Sequence, residues 1–178
     1  ALLSGGPYKA MNAAKPSRGD AVEMMDYQAW LRRHEPSVAA SAPRIQQHLK
    51  TLPRLPTISV VMPAYNSRPA WLREAIECVR NQVYPNWELC VVDDCSPDPE
   101  TYALLDELAK GDARIKIGKL AANGGIAAAT NAALGMATGE WIAFMDHDDL
   151  LRGDALALIA DSIANNPGAR IIYTDEDK

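Results

Sequence analysis

From Thr57 onwards, short apolar segments alternate with longer segments of helical period, and this alternation constrains the fold more than any other feature. The apolar segments are rich in β-branched residues and too short for helices, which favours strands. Strands that alternate with helices predict βαβ units and a mostly parallel sheet with right-handed crossovers. Because the apolar segments are continuous, both faces of the sheet should be covered, so we expect an α/β fold with helices on both faces.

The predicted elements follow one another in a regular order. Five segments are predicted as strands, namely TISVVM, WELCVV, RIKIGKL, EWIAFM and RIIYT. Four are predicted as helices, namely PAWLREAIECVRNQ, PETYALLDELAKG, GIAAATNAALGMA and the segment from Asp154 to Asn165. In the first of these helices Leu72, Ile76 and Val79 recur at helical spacing. We expect the first strand to end at Pro63, since proline lacks an N–H group.

Residues 1–56 differ in sequence pattern from the rest of the chain. We predict that they form a helical extension and linker before an α/β domain of residues 57–178. A capping box at Asp20 and Glu23 predicts a helix that ends near His34.

A second short helix is predicted from about Pro43 to Leu52, and the segment LPRLP then forms a stiff linker. The chain begins without an initiator Met and without a signal-peptide layout, so we expect a piece of a longer protein. No apolar run approaches the roughly 20 residues that a helix needs to span a bilayer.

Composition, net charge and cysteine spacing argue against several classes of protein. A hydrophobic fraction of 48% supports a sizeable core and argues against disorder. A net charge of −5 argues against a nucleic-acid partner, which would favour a basic surface. Cys78, Cys90 and Cys95 lack metal-type spacing, so we predict reduced, structural thiols in a reducing compartment.

Polar residues cluster where the predicted strands end, which is where open parallel sheets bind ligands. The second strand ends in CVVDDCSPD, with Asp93 and Asp94 adjacent. Turn formation and helix capping explain Ser96 and Asp98, but they explain an adjacent acidic pair less well. A carboxylate at this position can also accept the imide N–H of a pyrimidine or the hydroxyls of a ribose, and both interpretations stay open.

The first strand ends in PAYN, residues 63–66. Pro63 and Asn66 predict a turn, and Ala64 lies between the proline and Tyr65. The tyrosine either packs against the core or flanks a planar base beside the acidic pair.

A third motif, LAANGGIAAATNAAL, places Asn123 and Gly124 directly before a helix. Glycines there expose N–H groups, and the helix dipole favours a phosphate. The alternative is an ordinary turn with positive φ angles. Asn131 is polar among alanines, so it needs a partner in a neighbouring loop or a ligand.

The fourth strand ends in FMDHDD, where Asp146, Asp148 and Asp149 follow an apolar run. As a helix start, Asp148 or Asp149 could act as the cap, but Asp146 is then unexplained. From an extended loop, Asp146 and Asp148 can reach one point, where Mg²⁺ or Mn²⁺ is the natural occupant. His147 is expected to point elsewhere. The final run, YTDEDK, contains Asp175, Glu176 and Asp177 and either lines the same cleft or is solvated charge.

With these motifs in order, the stretch from Thr57 to Lys178 resembles a family 2 glycosyltransferase of the GT-A fold. The segments that match are ISVVMPAYN, WELCVVDDCS, NGGIAAATNAA, GEWIAFMDHDD and YTDEDK. The upstream segment YQAWLRRHEP resembles bacterial members that build surface polysaccharides. The resemblance implies sugar transfer from a UDP- or dTDP-type nucleotide-diphosphate sugar to a saccharide or lipid-linked acceptor. It also implies a cytoplasmic location, with peripheral membrane contact of the full-length protein as a further expectation.

By this resemblance, Asp94 holds a uracil-type imide in a pocket lined by Pro63 to Tyr65. Asp146 holds ribose or metal, and Asp148 binds the divalent ion that bridges the two phosphates of the donor. The other nucleotide-binding residues implied are Asn66, Asp93, Asn123, Gly124 and Asn131.

The chain departs from the family pattern in two ways. Thr130 stands where many relatives carry Arg, so a diphosphate contact is supplied elsewhere or missing. Members of the family also continue beyond Lys178, where the acceptor side and the usual catalytic Asp or Glu lie. Within this chain only Asp175 and Glu176 remain as candidates for the catalytic base. We therefore predict a donor-binding half of an enzyme and leave open whether this form is active.

Three alternative classes of protein share features with this chain. A receiver-type signalling domain also places an acidic pair and a further Asp around Mg²⁺, although here a whole βα unit precedes the pair. A nucleotidyltransferase would need a Gly-rich basic loop after the first strand, which PAYNSRPAW is not. A non-catalytic nucleotide-binding relative would bind nucleoside diphosphates without turnover.

Overall fold

The structure is a computed structural model and describes residues 37–173. Its elements alternate in the predicted order. They are α1 (Val38–Leu49), β1 (Ile58–Ala64), α2 (Pro69–Arg80), β2 (Trp87–Asp93), α3 (Pro99–Ala109), β3 (Ile115–Lys119), α4 (Ile126–Met136), β4 (Trp141–Phe144) and α5 (Ala155–Asn165).

The four strands form one parallel sheet in the order β3-β2-β1-β4. β1 pairs with β2 along its whole length but with β4 only from Ile58 to Val61. After β3 the chain crosses back over the sheet to place β4 on the other side of β1, so the strand order reverses at β1. Ligands bind beyond the carboxyl ends of strands at such a switch point. The predicted α/β fold with a parallel sheet is confirmed.

Both central strands are buried on both faces, as their continuous apolar sequences predict. On one face, Val61, Cys90 and Val92 pack against Ala129 and Ala133 of α4. Because alanine is small, α4 can lie close to the sheet, and this brings its N-terminus to the edge where β1 and β2 end. The predicted apolar stripe of α2 is also fully buried, at Leu72, Ile76 and Val79.

The helix predicted from Pro43 to Leu52 differs from α1 at both ends. It starts at Val38 because the side chain of Ser37 accepts a hydrogen bond from Ala40 N at 3.2 Å and caps it. Pro43 lies inside the helix, at the expense of one backbone hydrogen bond.

Helix α1 packs against α5 in the same compact unit as the sheet. Ile45 and Leu49 are buried, and His48 Nε2 lies 2.6 Å from Asp161 Oδ1. The three cysteines are free; Cys78 lies on α2 and the buried Cys90 on β2.

The expected end of the first strand at Pro63 was wrong, since β1 continues to Ala64. Pro63 is opposite Val92 of β2, but β4 pairs only as far as Val61. A missing N–H is tolerated here because β1 has a neighbour on one side only at this point.

The predicted strand RIIYT is absent over residues 170–173. Ile171 and Tyr173 are 84% and 90% exposed, and no strand among residues 37–173 pairs with them. A strand requires a hydrogen-bonded neighbour, which a sequence pattern cannot supply. The predicted helix from Asp20 to His34 and the acids of YTDEDK lie outside the described residues.

Candidate functional site

A cleft of about 360 Å³ lies at the carboxyl ends of β1, β2 and β4, within the size range of small-molecule sites. Seven predicted residues from four separate motifs line it, namely Pro63, Ala64, Tyr65, Asp94, Asn123, Asp146 and Asp148. The remaining lining residues are Gly125, Ile126, Ala129 and His147. The parallel sheet therefore gathers the PAYN, DDCS, NGG and DHDD motifs into one cleft.

Asp94 forms the wall of the cleft between β2 and α4 and is 2% exposed. Its carboxylate accepts hydrogen bonds from Gly124 N at 2.7 Å and Gly125 N at 2.8 Å. The side-chain amide of Asn123 donates a third, at 3.0 Å. The anion that meets the glycine N–H groups is thus the carboxylate of Asp94. An ionised carboxylate has about four acceptor positions, so one is left for a ligand.

The Asn-Gly-Gly turn needs its glycines for two different reasons. Gly125 has φ of 82°, which side chains other than that of glycine rarely adopt. At Gly124, a Cβ atom would lie 2.7 Å from the Cβ atom of Ala128. Both the turn and its contact with Asp94 are therefore built into the sequence.

Asp93, the other member of the acidic pair, is fully buried and does not line the cleft. Its carboxylate accepts hydrogen bonds from the backbone N–H and the hydroxyl of Ser96. Lys119 Nζ lies 3.6 Å away. Asn66, in the left-handed region at φ of 49°, donates its N–H to Ser96 Oγ at 2.9 Å. Ser96 thus joins the loops after β1 and β2, and Asp93 holds Ser96.

Asn131 and Gly124 do not line the cleft either. Asn131 is exposed on α4, whereas Ala129 and Ala133 face the sheet. Asn131 does not need a protein partner, because water can satisfy an exposed amide, and its predicted contact with a ligand stays a prediction.

Asp146 and Asp148 lie in the loop after β4, and both are exposed. Neither carboxylate has a hydrogen-bond or ion-pair partner within residues 37–173. The alternative that Asp148 or Asp149 caps a helix does not hold, because α5 begins only at Ala155 and Asp154 occupies its N-cap position. The two acids are therefore free to bind a ligand.

His147 also lines the cleft, and its Nδ1 is buried without a hydrogen-bond partner among residues 37–173. The expectation that His147 points elsewhere was wrong. An isolated motif could not reveal this, because the direction of a loop side chain depends on how the loop is anchored.

Main-chain contacts with the end of α2 hold the loop of the acids. Leu151 N donates to Cys78 Sγ at 3.2 Å, and the carbonyl oxygen of Arg152 accepts from Gln82 Nε2 at 2.8 Å. The carbonyl oxygen of Gly153 accepts a hydrogen bond from the backbone N–H of Val83 at 2.8 Å. Gln82 carried no functional signal in the sequence, although it is buried and positions the site.

The residues present fit a divalent ion only in part. No group of three His, Cys, Asp or Glu side chains within residues 37–173 is placed to hold a metal. Asp146 and Asp148 provide two unpartnered carboxylates at the cleft. Mg²⁺ is commonly bound by one or two carboxylates together with substrate phosphates. The pair thus fits an ion that a bound diphosphate completes.

The fold and the site define an α/β protein with a partly acidic cleft at the carboxyl edge of its parallel sheet. Residues 59–175 match the family Glycosyl transferase family 2. The match covers more than half of the chain, so the chain belongs to this family of glycosyltransferases. The predicted resemblance is confirmed, and the receiver-domain and nucleotidyltransferase alternatives are wrong.

Two bacterial relatives match along most of the chain. An uncharacterised protein, y4gI, from Sinorhizobium fredii is 47% identical over 154 residues, which cover 86% of this chain and 17% of the relative. The O-antigen biosynthesis protein RfbC of Myxococcus xanthus is 35% identical over 154 residues, 86% of this chain and 12% of the relative. The chain therefore spans less than a fifth of the length of these relatives.

Two solved structures are similar to this fold. TarS 1-349 from S. aureus in complex with UDP-GlcNAc has a TM-score of 0.58 and 32% identity, covering 62% of this chain and 32% of that one. The mannosyltransferase PcManGT from Pyrobaculum calidifontis, in complex with GDP-Man and Mn²⁺, has a TM-score of 0.57 and 26% identity, covering 71% of this chain and 39% of that one.

Proposed function

We propose that this chain forms the donor-binding part of a glycosyltransferase that uses a UDP- or dTDP-type sugar in the synthesis of a bacterial surface polysaccharide. One observation carries the proposal: Tyr65, Asp94, Asp146 and Asp148 line a single cleft at the switch point of the sheet. The complexes of TarS with UDP-GlcNAc and of PcManGT with GDP-Man and Mn²⁺ support a nucleotide-sugar ligand.

The lining of the cleft has the chemistry for two parts of the donor. Tyr65 is 47% exposed and offers an aromatic face to a planar base. Asp94 offers its remaining acceptor position to the imide N–H of uracil or thymine, and its buried position gives that hydrogen bond weight in selecting the base. Asp146 and Asp148 are two negative groups that would repel a diphosphate without a counterion.

Asp146 and Asp148 would therefore hold Mn²⁺ or Mg²⁺ together with the donor. The ion would supply Lewis-acid stabilisation of the charge on the departing nucleoside diphosphate. The protein contributes the placement of the two carboxylates, which the contacts of Leu151 and Arg152 with the end of α2 fix.

The acceptor, a saccharide or lipid-linked saccharide, needs a general base to remove its hydroxyl proton. Within residues 37–173, the three carboxylates of the cleft are Asp94, Asp146 and Asp148, and the proposal assigns all of them to the donor. Asp175 and Glu176 stay candidates for the base and lie outside the described residues.

We place the protein in the cytoplasm, since its three cysteines are free and carry no pairing pattern. Contact of the longer protein with the inner face of the membrane is part of the proposal. Among residues 37–173, no helix combines the length and apolar character needed to cross a membrane.

The deciding experiment is calorimetry with UDP, dTDP and GDP, each with and without Mn²⁺. We expect UDP or dTDP to bind in the presence of Mn²⁺. The affinity should fall at least about tenfold in Asp148→Ala, because this change removes one of the two carboxylates proposed to hold the ion. A tenfold fall corresponds to about 1.4 kcal/mol of binding free energy. Asp149→Ala is the matched control, because Asp149 is the exposed neighbour that does not line the cleft.

Equal affinity with and without Mn²⁺, unchanged in Asp148→Ala, would contradict the metal assignment. If a folded sample binds none of the three nucleotides, the donor assignment is wrong. Nucleotide binding without any release of UDP from UDP-sugars, in the longer protein, would support the non-catalytic alternative.

A further inference from the structure

Helix α1 lies beside the segment of chain that carries the two exposed acids of the cleft. It precedes the first strand and contributes no residue to the cleft. Among the helices and strands that the structure describes, however, α1 is the closest packing neighbour of α5. Helix α5 follows directly on the loop after β4, with Asp154 at its N-cap position. The position of α5 therefore sets where the far end of this loop lies.

The first residue of α1 contacts the loop itself. A Cβ atom at Gly153 would lie 3.1 Å from Val38 Cγ1 and 3.7 Å from the carbonyl oxygen of Asn81. The main chain at Gly153 is thus enclosed between the start of α1 and the end of α2. Its carbonyl oxygen accepts the hydrogen bond from Val83 N. Two helices therefore hold the same point of the loop.

The other end of α1 is bonded to α5. His48 Nε2 lies 2.6 Å from Asp161 Oδ1, and Asn165 Nδ2 donates to the same oxygen at 3.1 Å. Asp161 is 9% exposed, and burial of a carboxylate is costly unless partners meet it. A directional contact of this kind fixes how far α1 lies along α5, which the apolar packing of Ile45 and Leu49 alone does not.

The two contacts hold α1 and α5 side by side. Val38 lies against the residue before Asp154, and His48 meets the middle of α5, so the two helices run in the same direction. The near end of the loop is fixed by the sheet, since Met145 N donates to the carbonyl oxygen of Val61 at 3.1 Å. The loop of the acids is therefore held by the sheet at one end and by α1 and α2 at the other.

We propose that α1 is a positioning element of the ion site, in which Val38 and His48 hold the loop that carries Asp146 and Asp148. The inference rests on the proposed function, because its consequence is the binding of Mn²⁺ together with UDP. The two acids have no contacts of their own in the described chain, so the ends of the loop determine their separation. An ion that needs both carboxylates binds best when they are already in place.

A positioning role and a purely structural role of α1 have different consequences. If α1 only adds to stability, its disturbance lowers the free energy of unfolding but leaves the folded protein's affinity for the ion unchanged. If α1 positions the loop, the folded protein itself binds the ion more weakly. Electron paramagnetic resonance of free Mn²⁺, in the presence of UDP, measures this affinity directly and does not depend on turnover.

The first set of variants changes the contact of α1 with α5. We expect His48→Ala to weaken the binding of Mn²⁺ about three- to tenfold. His48→Gln should retain most of the affinity, because the amide of glutamine can donate to the carboxylate of Asp161. Gln47→Ala is the matched control, since Gln47 is the exposed neighbour of His48 on the same helix.

The second set exchanges size between α1 and the loop. Gly153→Ala places a methyl group against Val38, and Val38→Ala removes the atom that this methyl group would meet. Each single variant should bind Mn²⁺ more weakly than the wild type. The double variant should bind it more tightly than either, because substitutions of residues in contact are not additive. This set decides the proposal even if His48→Ala fails to fold, which circular dichroism shows.

Ile115→Val controls for stability, because it trims a buried side chain of β3 at the edge of the sheet away from β4. It should lower the urea midpoint and leave the binding of Mn²⁺ unchanged. An equal loss of affinity in this control would overturn the proposal.

The donor site and the role of α1 can fail separately. If the wild type binds Mn²⁺ with UDP and Asp148→Ala does not, but His48→Ala and Gly153→Ala bind like the wild type, the role of α1 is overturned while the donor site stands. If the wild type does not bind Mn²⁺ with UDP, the proposed function is wrong, and the role of α1 with it.

Discussion

Carboxylates lie at both ends of the sheet, and they differ in what surrounds them. Near the amino end, Glu88 of β2 is 7% exposed. It accepts hydrogen bonds from Ser59 Oγ at 2.6 Å, Thr138 N at 2.5 Å and Lys116 Nζ at 2.8 Å. At the carboxyl end, Asp146 and Asp148 are exposed and without partners in the described part of the chain.

The partners of an acidic residue decide its role. The acceptor positions of Glu88 are filled, so it holds the loop between α4 and β4 against the sheet. The carboxylate of Asp148 has no partner in the described chain and can bind a ligand. Asp94 lies between these extremes, because it anchors a turn and keeps one acceptor position.

The largest effect is expected at the amino end, from Gly139→Ala. A Cβ atom at Gly139 would lie 2.6 Å from Ser59 Oγ and 2.7 Å from the carbonyl oxygen of Thr57. Backbone cannot move aside easily, so we expect a loss of about 3 kcal/mol in the free energy of unfolding. Urea denaturation measures it.

The matched control is Gly135→Ala in α4, where a Cβ atom would meet nothing within 4 Å. This variant should be neutral or more stable by up to about 1 kcal/mol. Equal stability of the two variants would show that Gly139 does not pack closely against Ser59 and Thr57.

The second prediction concerns pH. Burial alone would raise the pKa of Glu88, but the hydrogen bonds from Lys116, Ser59 and Thr138 outweigh it and lower the pKa to about 2 from 4.5. Because the folded-state pKa is the lower one, the contribution to stability is complete above about pH 4.5 and is lost as the pH falls towards 2. We expect a loss on the order of 3 kcal/mol across this window.

Denaturation curves at a series of pH values test this. Glu88→Gln should be less stable at neutral pH and should lack this part of the pH dependence. A wild type and a Glu88→Gln variant with parallel pH profiles would refute the role of Glu88.

The smallest effect is expected from Asp94→Asn. The amide would place an NH₂ group against the N–H of Gly124 or Gly125, so we expect a loss of about 1–2 kcal/mol in stability. UDP affinity should fall as well, since the acceptor for the base is changed. Thermal denaturation and calorimetry measure the two effects.

Asp98→Asn is the control for this change, because Asp98 caps α3 through Glu100 N, and asparagine caps helices equally well. It should alter neither quantity. If Asp94→Asn matched it in stability, the hydrogen bonds to the Asn-Gly-Gly turn would contribute nothing.

Much of the fold was predictable because it depends on local period. The apolar spacing of Leu72, Ile76 and Val79 defined one helix, and continuous apolar runs defined the buried strands. The position of Pro63 was not predictable in the same way, since it depends on how far β4 extends beside β1. The start of α1 was missed although Ser37 is a preferred N-cap residue.

The site was predictable as a location, because parallel strands bring their carboxyl ends together. The roles of individual acids were not, since they depend on distant partners. Asp94 is held by residues 29–31 positions away, which no local pattern reveals. Asp93 could have been recognised, because its bond to Ser96 spans three residues in a turn. Glu88 also left a signal, as a charge within an apolar strand.

The anchoring of the loop after β4 has a consequence for how such a chain can diversify. The end of α2 contacts the N–H of Leu151 and the carbonyl oxygens of Arg152 and Gly153, all of them main-chain atoms. These atoms remain when side chains change. Substitutions of the side chains in this loop can therefore change the surface beside the cleft while the main-chain contacts keep Asp148 in place.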